Sequence, residues 1–263
     1  MQGLMGLLYQ IGIGILLSGI SFTFGFLYRN LRKFLEFREY TEVFGKVAEN
    51  QGNIHICIPL WKIKPEKREV KRYQKERIDG IIEEYHGPDN MVSLGDHEAG
   101  THIEHVIAEF QEATVEYCLD NDKEFDCANR TVIMLGSPIA NSRARLFFKQ
   151  YPPPYFEFEI TEETSEHDAA LTIKDKKSPT EFNSVGDTEY SVILRTPNPH
   201  DKDGFFFFVF GAHANGTTVA ALFLKNNWKK FTKALESAVV LLKMPRNSTA
   251  YEEVKEFSYG FYD

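Results

Sequence analysis

Six consecutive apolar residues, Phe205, Phe206, Phe207, Phe208, Val209 and Phe210, constrain this chain more than any other feature. The run has no polar alternation, so a strand formed by it must be covered on both faces, as in the middle of a parallel sheet. Gly211-Ala212-His213-Ala214-Asn215-Gly216 then breaks it with small and polar residues. Thr217 or Thr218 can cap a helix that begins at Val219 and carries Ala220, Ala221, Leu222 and Phe223. The order is buried strand, tight loop, helix N-terminus. In open α/β sheets ligands sit at that junction, because free N–H groups and the helix dipole point at it.

The unit occurs a second time. Thr131 to Leu135 is a short apolar run, Gly136-Ser137-Pro138-Ile139-Ala140-Asn141 follows, and Ser142 to Phe148 reads as a helix start. Both loops open with Gly directly after the strand, and both contain Ala-Asn before a hydroxyl-bearing helix start. The pattern predicts one pocket built from two loops on central, neighbouring parallel strands. The plainer alternative is that Gly and Asn are ordinary turn residues at strand ends.

The N-terminus carries a separate signal. Met1 to Tyr28 contains no charged side chain and is rich in Leu, Ile and Phe. At about 1.5 Å per residue it is long enough to cross a bilayer core of roughly 30 Å. Its glycines, among them Gly12, Gly19 and Gly25, permit close helix approach and hence a homo-oligomer through the span. A cleaved signal peptide would need a positive first region and a shorter apolar core. Arg29, Arg32, Lys33 and Arg38 follow the run, so the positive-inside rule places the C-terminal bulk in the cytoplasm. The expected organisation is a transmembrane helix over 1–28 (a single-pass signal-anchor), a juxtamembrane helical linker over 29–50, and a cytosolic α/β domain over 51–263.

Composition narrows the partners. The 263-residue chain has a formal net charge of -8, so nucleic acid is not an expected partner. Three cysteines, Cys57, Cys118 and Cys127, without CxxC spacing suit a reducing compartment rather than a disulfide framework. Asn129, Asn215 and Asn247 match the glycosylation pattern, which a cytosolic domain would not use. The basic stretch from Lys62 to Arg77 reads as a solvated face, or as a surface for anionic lipid. Asp96 to His105 contains His97, Glu98, His102 and His105, but His97 and His102 are five apart where a helical zinc pair needs four. No metal and no cofactor is expected. Asp96 and His97 stand at a helix entrance that would face the ligand site.

The remaining pattern gives strands at Ile54–Trp61, Phe156–Ile160, Ala170–Ile173 and Tyr190–Pro199, a helix from Trp228 to Leu242, and a last strand within Tyr251–Tyr262. Val115 to Asn129 reads as acidic and turn-like. No Walker A, GxSxG, HExxH or GxGxxG pattern is present.

The two strand–loop–helix units and the apolar N-terminus resemble Rossmann-like or flavodoxin-like ligand-sensing domains that bacteria attach to a membrane helix in signalling and antiviral (phage) defence effectors. That resemblance covers about half of the chain and rests on layout, and it implies a nucleotide-derived ligand. Three functions follow as expectations. A membrane-anchored sensor or effector would bind a small anionic, nucleotide-like ligand through Gly136, Ser137, Asn141, Gly211, Asn215, Gly216 and Thr217, with charge from Arg143 or Arg195. An enzyme acting on a nucleotide-like substrate at the same cleft would use His213 as acid–base group. A structural membrane scaffold would use the loops only as turns.

Overall fold

The computed structural model describes residues 2–45, 53–59, 61–62, 73–76, 82–85, 90–108, 114–122, 131–138, 140–153, 156–162, 169–184, 186–233, 237–246, 248 and 253–262. In chain order they form α1 (Gln2–Phe44), β1 (Asn53–Ile58), β2 (Trp61–Lys62), β3 (Tyr73–Glu76), β4 (Ile82–Tyr85), β5 (Asn90–Met91), α2 (Leu94–Ala108), β6 (Thr114–Leu119) and β7 (Thr131–Leu135). Then come α3 (Ser142–Gln150), β8 (Phe156–Glu162), β9 (Ala169–Asp175), β10 (Glu181–Asn183), β11 (Thr188–Asn198), β12 (Asp201–Gly211), α4 (Ala214–Asn227), β13 (Ser237–Pro245) and β14 (Lys255–Tyr262). Cys127, Asn129, Asn247, Ile139 and most of Lys62–Arg77 lie outside the described residues.

Seven strands make the main sheet in the order β14-β13-β11-β12-β7-β1-β6. β6, β1, β7 and β12 are mutually parallel. β11 opposes β12, β13 opposes β11, and β14 opposes β13. Five of the seven strands therefore run the same way, and the fold is a mixed α/β structure compatible with a Rossmann-like layout.

The Phe run lies in β12 and is buried throughout from Phe206 to Phe210. Phe207 and Val209 enter one core with the end of α1, α2 and α4. Phe206, Phe208 and Phe210 enter the other, with α3 and the small antiparallel sheet β10-β9-β8. This is what a run without alternation requires: both faces are covered, one by helices and one by a helix and a second sheet. Ring contacts cross each layer, with Phe44 and Phe207 at 5.2 Å and Phe148 and Phe208 at 4.4 Å between centroids.

The first helix is one continuous rod of about 65 Å. Residues 17–35 are exposed all round, Phe22 by 77%. Among the residues whose side chains are described, its last turns dock, with Tyr40, Val43 and Phe44 buried in the core. The C-terminal part of the expected linker is thus part of the folded domain. Gly45 ends the helix at φ 88, where an added Cβ would fall 2.3 Å from the Asp203 carbonyl oxygen. Among the described residues no helix is long and apolar enough to cross a membrane. The side chains of residues 1–16, which supply much of the uncharged run, are not among those described.

Three elements differ from the sequence reading. Trp228 to Leu242 is not a helix: a 3-10 segment, Trp228–Lys233, leads into β13. Ala238 to Leu242 is buried without interruption, which suits a strand between two layers better than a helix with one apolar face. The acidic segment after Val115 contains the edge strand β6. Finally, α4 begins at Ala214, so Asn215 to Thr218 belong to the helix and not to a loop.

Candidate functional site

The two loops leave neighbouring strands at the same end of the sheet. β12 and β7 pair in parallel register, Val209 opposite Leu135, and the Gly136 amide donates to the Val209 carbonyl at 3.2 Å. α3 then runs on the Phe206 face, whereas α2 and α4 pack side by side on the Phe207 face. At the α2–α4 seam, a Cβ on Gly95 would lie 2.8 Å from the Ala214 Cβ, and the Thr218 hydroxyl donates to the Gly95 carbonyl at 2.9 Å. Gly136 turns under this seam at φ 82. A Cβ there would meet Pro59 Cγ at 2.9 Å and the carboxylate of buried Asp96 at 3.6 Å.

Asn141 occupies a different place from the one expected. It is fully buried and is the N-cap of α3. Its Oδ1 accepts from the amides of Arg143 and Ala144 at 3.1 and 3.0 Å. Its Nδ2 donates to the carbonyls of Leu135 and Cys57 at 2.9 and 3.3 Å. Those four bonds use the whole capacity of a side-chain amide. The Ser142 amide is taken by Asp120 Oδ2 at 2.7 Å. The donors at the start of α3 are therefore spent inside the fold, and Asn141 ties α3 to the ends of β7 and β1. Ser137 is buried behind this cap, its carbonyl accepting from the Asn141 amide at 2.8 Å.

The second loop is built around a carboxylate from β11. Glu189 is 1% exposed, and its Oε1 accepts from the His213 amide at 2.9 Å. His213 holds the N-cap position of α4 but makes no side-chain cap bond, so Glu189 supplies the acceptor instead. The glycines make room for it. A Cβ on Gly216 would fall 2.3 Å from Glu189 Oε1, and one on Gly211 would fall 2.5 Å from the Gly216 Cα. Thr217 is buried and accepts from the Gly211 amide at 3.3 Å. Asn215 is half-buried in the first turn of α4.

The His213 ring lies between opposite charges. Nδ1 is 3.5 Å from Glu189 Oε1, and Nε2 is 3.4 Å from an Arg246 guanidinium nitrogen. The His213 side chain is partly exposed, but its Nδ1, facing the buried Glu189 carboxylate, is itself buried and makes no hydrogen bond. The Arg246 guanidinium stands beside the other nitrogen. Glu189 and Arg246 carry no local sequence signal, since both meet His213 only through the β11–β13 pairing and the turn after it. Arg246 is held at that turn by its amide, which donates to the Asp187 carbonyl at 2.8 Å.

Arg195 does not reach this end of the sheet. It pairs with Phe207, four residues before Gly211 along β12, and its guanidinium donates to the carbonyls of Val43 and Glu42 at 2.9 and 2.6 Å. It also lies 3.5 Å from the Phe205 ring centre. Burial lowers its pKa to about 10, which leaves it cationic at neutral pH. Its charge serves the end of α1, not the two loops. Arg143 is half-buried on α3 and donates to the Asp122 carbonyl.

Among the described residues no group of three or more His, Cys, Asp or Glu side chains is placed to hold a metal. His105 Nδ1 stands 3.3 Å from Lys225 Nζ, and His102 Nδ1 is buried without a hydrogen bond. A scan against protein-family models finds no match to this chain, and a search of curated proteins finds no significant relative.

Proposed function

We propose that this chain is a membrane-anchored α/β domain that binds a small anionic, nucleotide-like ligand at the C-terminal end of its parallel strands. The observation that carries the anchor is the contrast within α1. Its last turns are bolted into the core, while residues 17–28 are exposed and carry Leu17, Ile20, Phe22, Phe24, Phe26 and Leu27 with no charged side chain. A surface of that kind is stable in lipid or against another apolar helix, not in water. The arginines and the lysine that follow the uncharged run favour a cytoplasmic domain.

The ligand reading is supported by the half-exposed His213 and its neighbour Arg246 at the start of α4. Gly136, Gly211, Gly216, Asn141 and Thr217 then act as the frame that brings the strand ends and helix starts together. Asn215 stands half-buried on the first turn of α4, near His213 in sequence. Full-length chain in lipid nanodiscs should show raised thermal stability with adenosine monophosphate or inorganic phosphate. Arg246→Ala should abolish that shift while leaving the unliganded transition within a few degrees. An unchanged shift in the variant would remove Arg246 from the site. For the anchor, the chain should stay with membranes through alkaline and high-salt extraction; release by salt alone would refute it.

An enzyme at the same place is the second reading, favoured by the Glu189–His213 geometry. His213→Ala would then keep binding of the nucleotide and lose its turnover.

A further inference from the structure

On the opposite face of the sheet from α2 and α4 lies a cavity that the loop site does not use. It has a volume of about 340 Å³ and lies between α3, the Pro152–Pro153 segment and the inner face of β11 and β13. That volume falls within the range of small-ligand sites, about 300–1,000 Å³. Its walls include Phe147, Phe156, Leu194 and Val239, the last three buried. The polar groups on its lining are paired with one another. Ser237 Oγ donates to Thr196 Oγ1 at 3.5 Å, and Gln150 Nε2 donates to the Tyr151 hydroxyl at 3.2 Å. An occupant need not satisfy them, and a polar ring placed here would bury its own donors and acceptors unpaired. An apolar chain meets neither cost.

A second cleft of about 400 Å³ adjoins it, sharing Phe148, Pro152, Pro153 and Phe156. It adds Arg145, Lys149 and Lys176, against the single carboxylate of Glu157. Two of these cations are held at the rim by backbone carbonyls: Lys176 Nζ donates to Pro153 at 2.8 Å and Arg145 Nε to Pro138 at 2.8 Å. An apolar cavity beside a cleft whose lining carries an excess of positive charge matches an apolar chain ending in an anion.

We propose that this paired cavity and cleft bind a medium-chain fatty acid, with the alkyl chain against Phe147, Leu194 and Val239 and the carboxylate between Arg145, Lys149 and Lys176. The cavity is separate from the two strand-end loops, and the cleft touches the first of them at Pro138 without using the His213 and Arg246 side chains. The test uses full-length chain in nanodiscs and a diazirine-bearing dodecanoic acid, with cross-links mapped by mass spectrometry. Labelling is expected on α3 and the start of β8, suppressed by excess dodecanoate and not by dodecyltrimethylammonium. Arg145→Glu with Lys149→Glu, both exposed positions, should cut that labelling by about tenfold or more, the loss expected from reversing charge-assisted contacts. Thr196→Phe, which fills the cavity, should abolish it. Labelling of α1 serves as the internal reference and should be unchanged in every variant. Cross-links confined to α1, or α3 labelling that the charge reversal leaves intact, would overturn the proposal, whether or not Thr196→Phe folds.

Discussion

Arg195 closes the C-terminal end of α1 by donating from Nε to the Val43 carbonyl at 2.9 Å, across 152 residues of sequence. A second guanidinium nitrogen takes the Glu42 carbonyl, and the Thr131 hydroxyl takes that of Phe44 at 2.5 Å. With Gly45 donating to Thr41, each of the last four carbonyls of the helix has a partner. The rod is thereby fixed to the first residues of β7 and the middle of β11. Motion or force along α1 would be delivered to β7, which carries the first loop, and to β11, which carries Glu189.

Replacing Arg195 with Met should therefore weaken the fold, not the ligand site. Two carbonyls lose a charged donor, each such bond contributing about 1.5–3 kcal/mol, while removal of a buried cation returns part of that. The expected net loss is about 2–3 kcal/mol in urea unfolding. Affinity for adenosine monophosphate should be unchanged, since the guanidinium points to the other end of the sheet. A variant as stable as the parent would show that the cap is ornamental.

Gly216 should be intolerant of any side chain. Alanine would place its Cβ 2.3 Å from Glu189 Oε1 and 2.8 Å from Ser191 Oγ, inside a seam whose other wall is Gly211. Either Glu189 leaves the amide of His213 or α4 shifts from the sheet, at an overpacking cost of about 1–3 kcal/mol. Gly25→Ala is the control, with nothing within 4 Å of its added Cβ, and should lose no stability. Thermal unfolding of the two variants side by side decides the matter.

What was legible in the sequence follows the range of the interactions. Thr131–Leu135 and Phe205–Phe210 are strands because burial on both faces leaves a continuous apolar run, and Gly136 marks a turn that needs positive φ. Their adjacency was expected from their apolarity. The start of α4 was misplaced because its cap is Glu189, 24 residues upstream of the amide it binds, while Thr217 and Thr218 imitate a local cap. Asn141 is ambiguous in the sequence because an Asn at a helix start can cap or bind, and only its full burial decides for the cap. Arg195 carries no local mark, since a helix end that needs a cation lies 152 residues away.

Acid should destabilise the α2–α4 seam through His102. Burial lowers its pKa below the ordinary 6.5, with Lys225 and His105 adding to the shift and Glu98 opposing it. The unfolded chain then takes up a proton at a pH where the folded chain does not. Stability is full above the unfolded pKa and falls as pH drops through about 6.5, the loss being complete below the folded pKa. His102→Gln should flatten the difference in urea midpoint between about pH 7.5 and pH 5.5. A slope identical to that of the parent chain would assign the acid sensitivity to other groups.

Asn141 and Asn215 look alike in sequence, each in an Ala-Asn pair after a Gly-started loop, and should behave differently. Asn141→Ala removes four hydrogen bonds in a fully buried position, leaving two carbonyls and two amides of α3 without the partner they now have. Loss of a helix cap costs about 0.5–2 kcal/mol, and stranded buried groups add to it, so about 2–4 kcal/mol of stability should disappear. Asn215→Ala changes a half-buried side chain in the first turn of α4, and stability should fall by less than about 1 kcal/mol. If that amide contacts an anionic ligand, affinity should drop by about 1–3 kcal/mol instead. Urea unfolding and titration with adenosine monophosphate on the same two variants separate the effects. A stability loss at Asn215 with none at Asn141 would reverse the assignment of cap and contact.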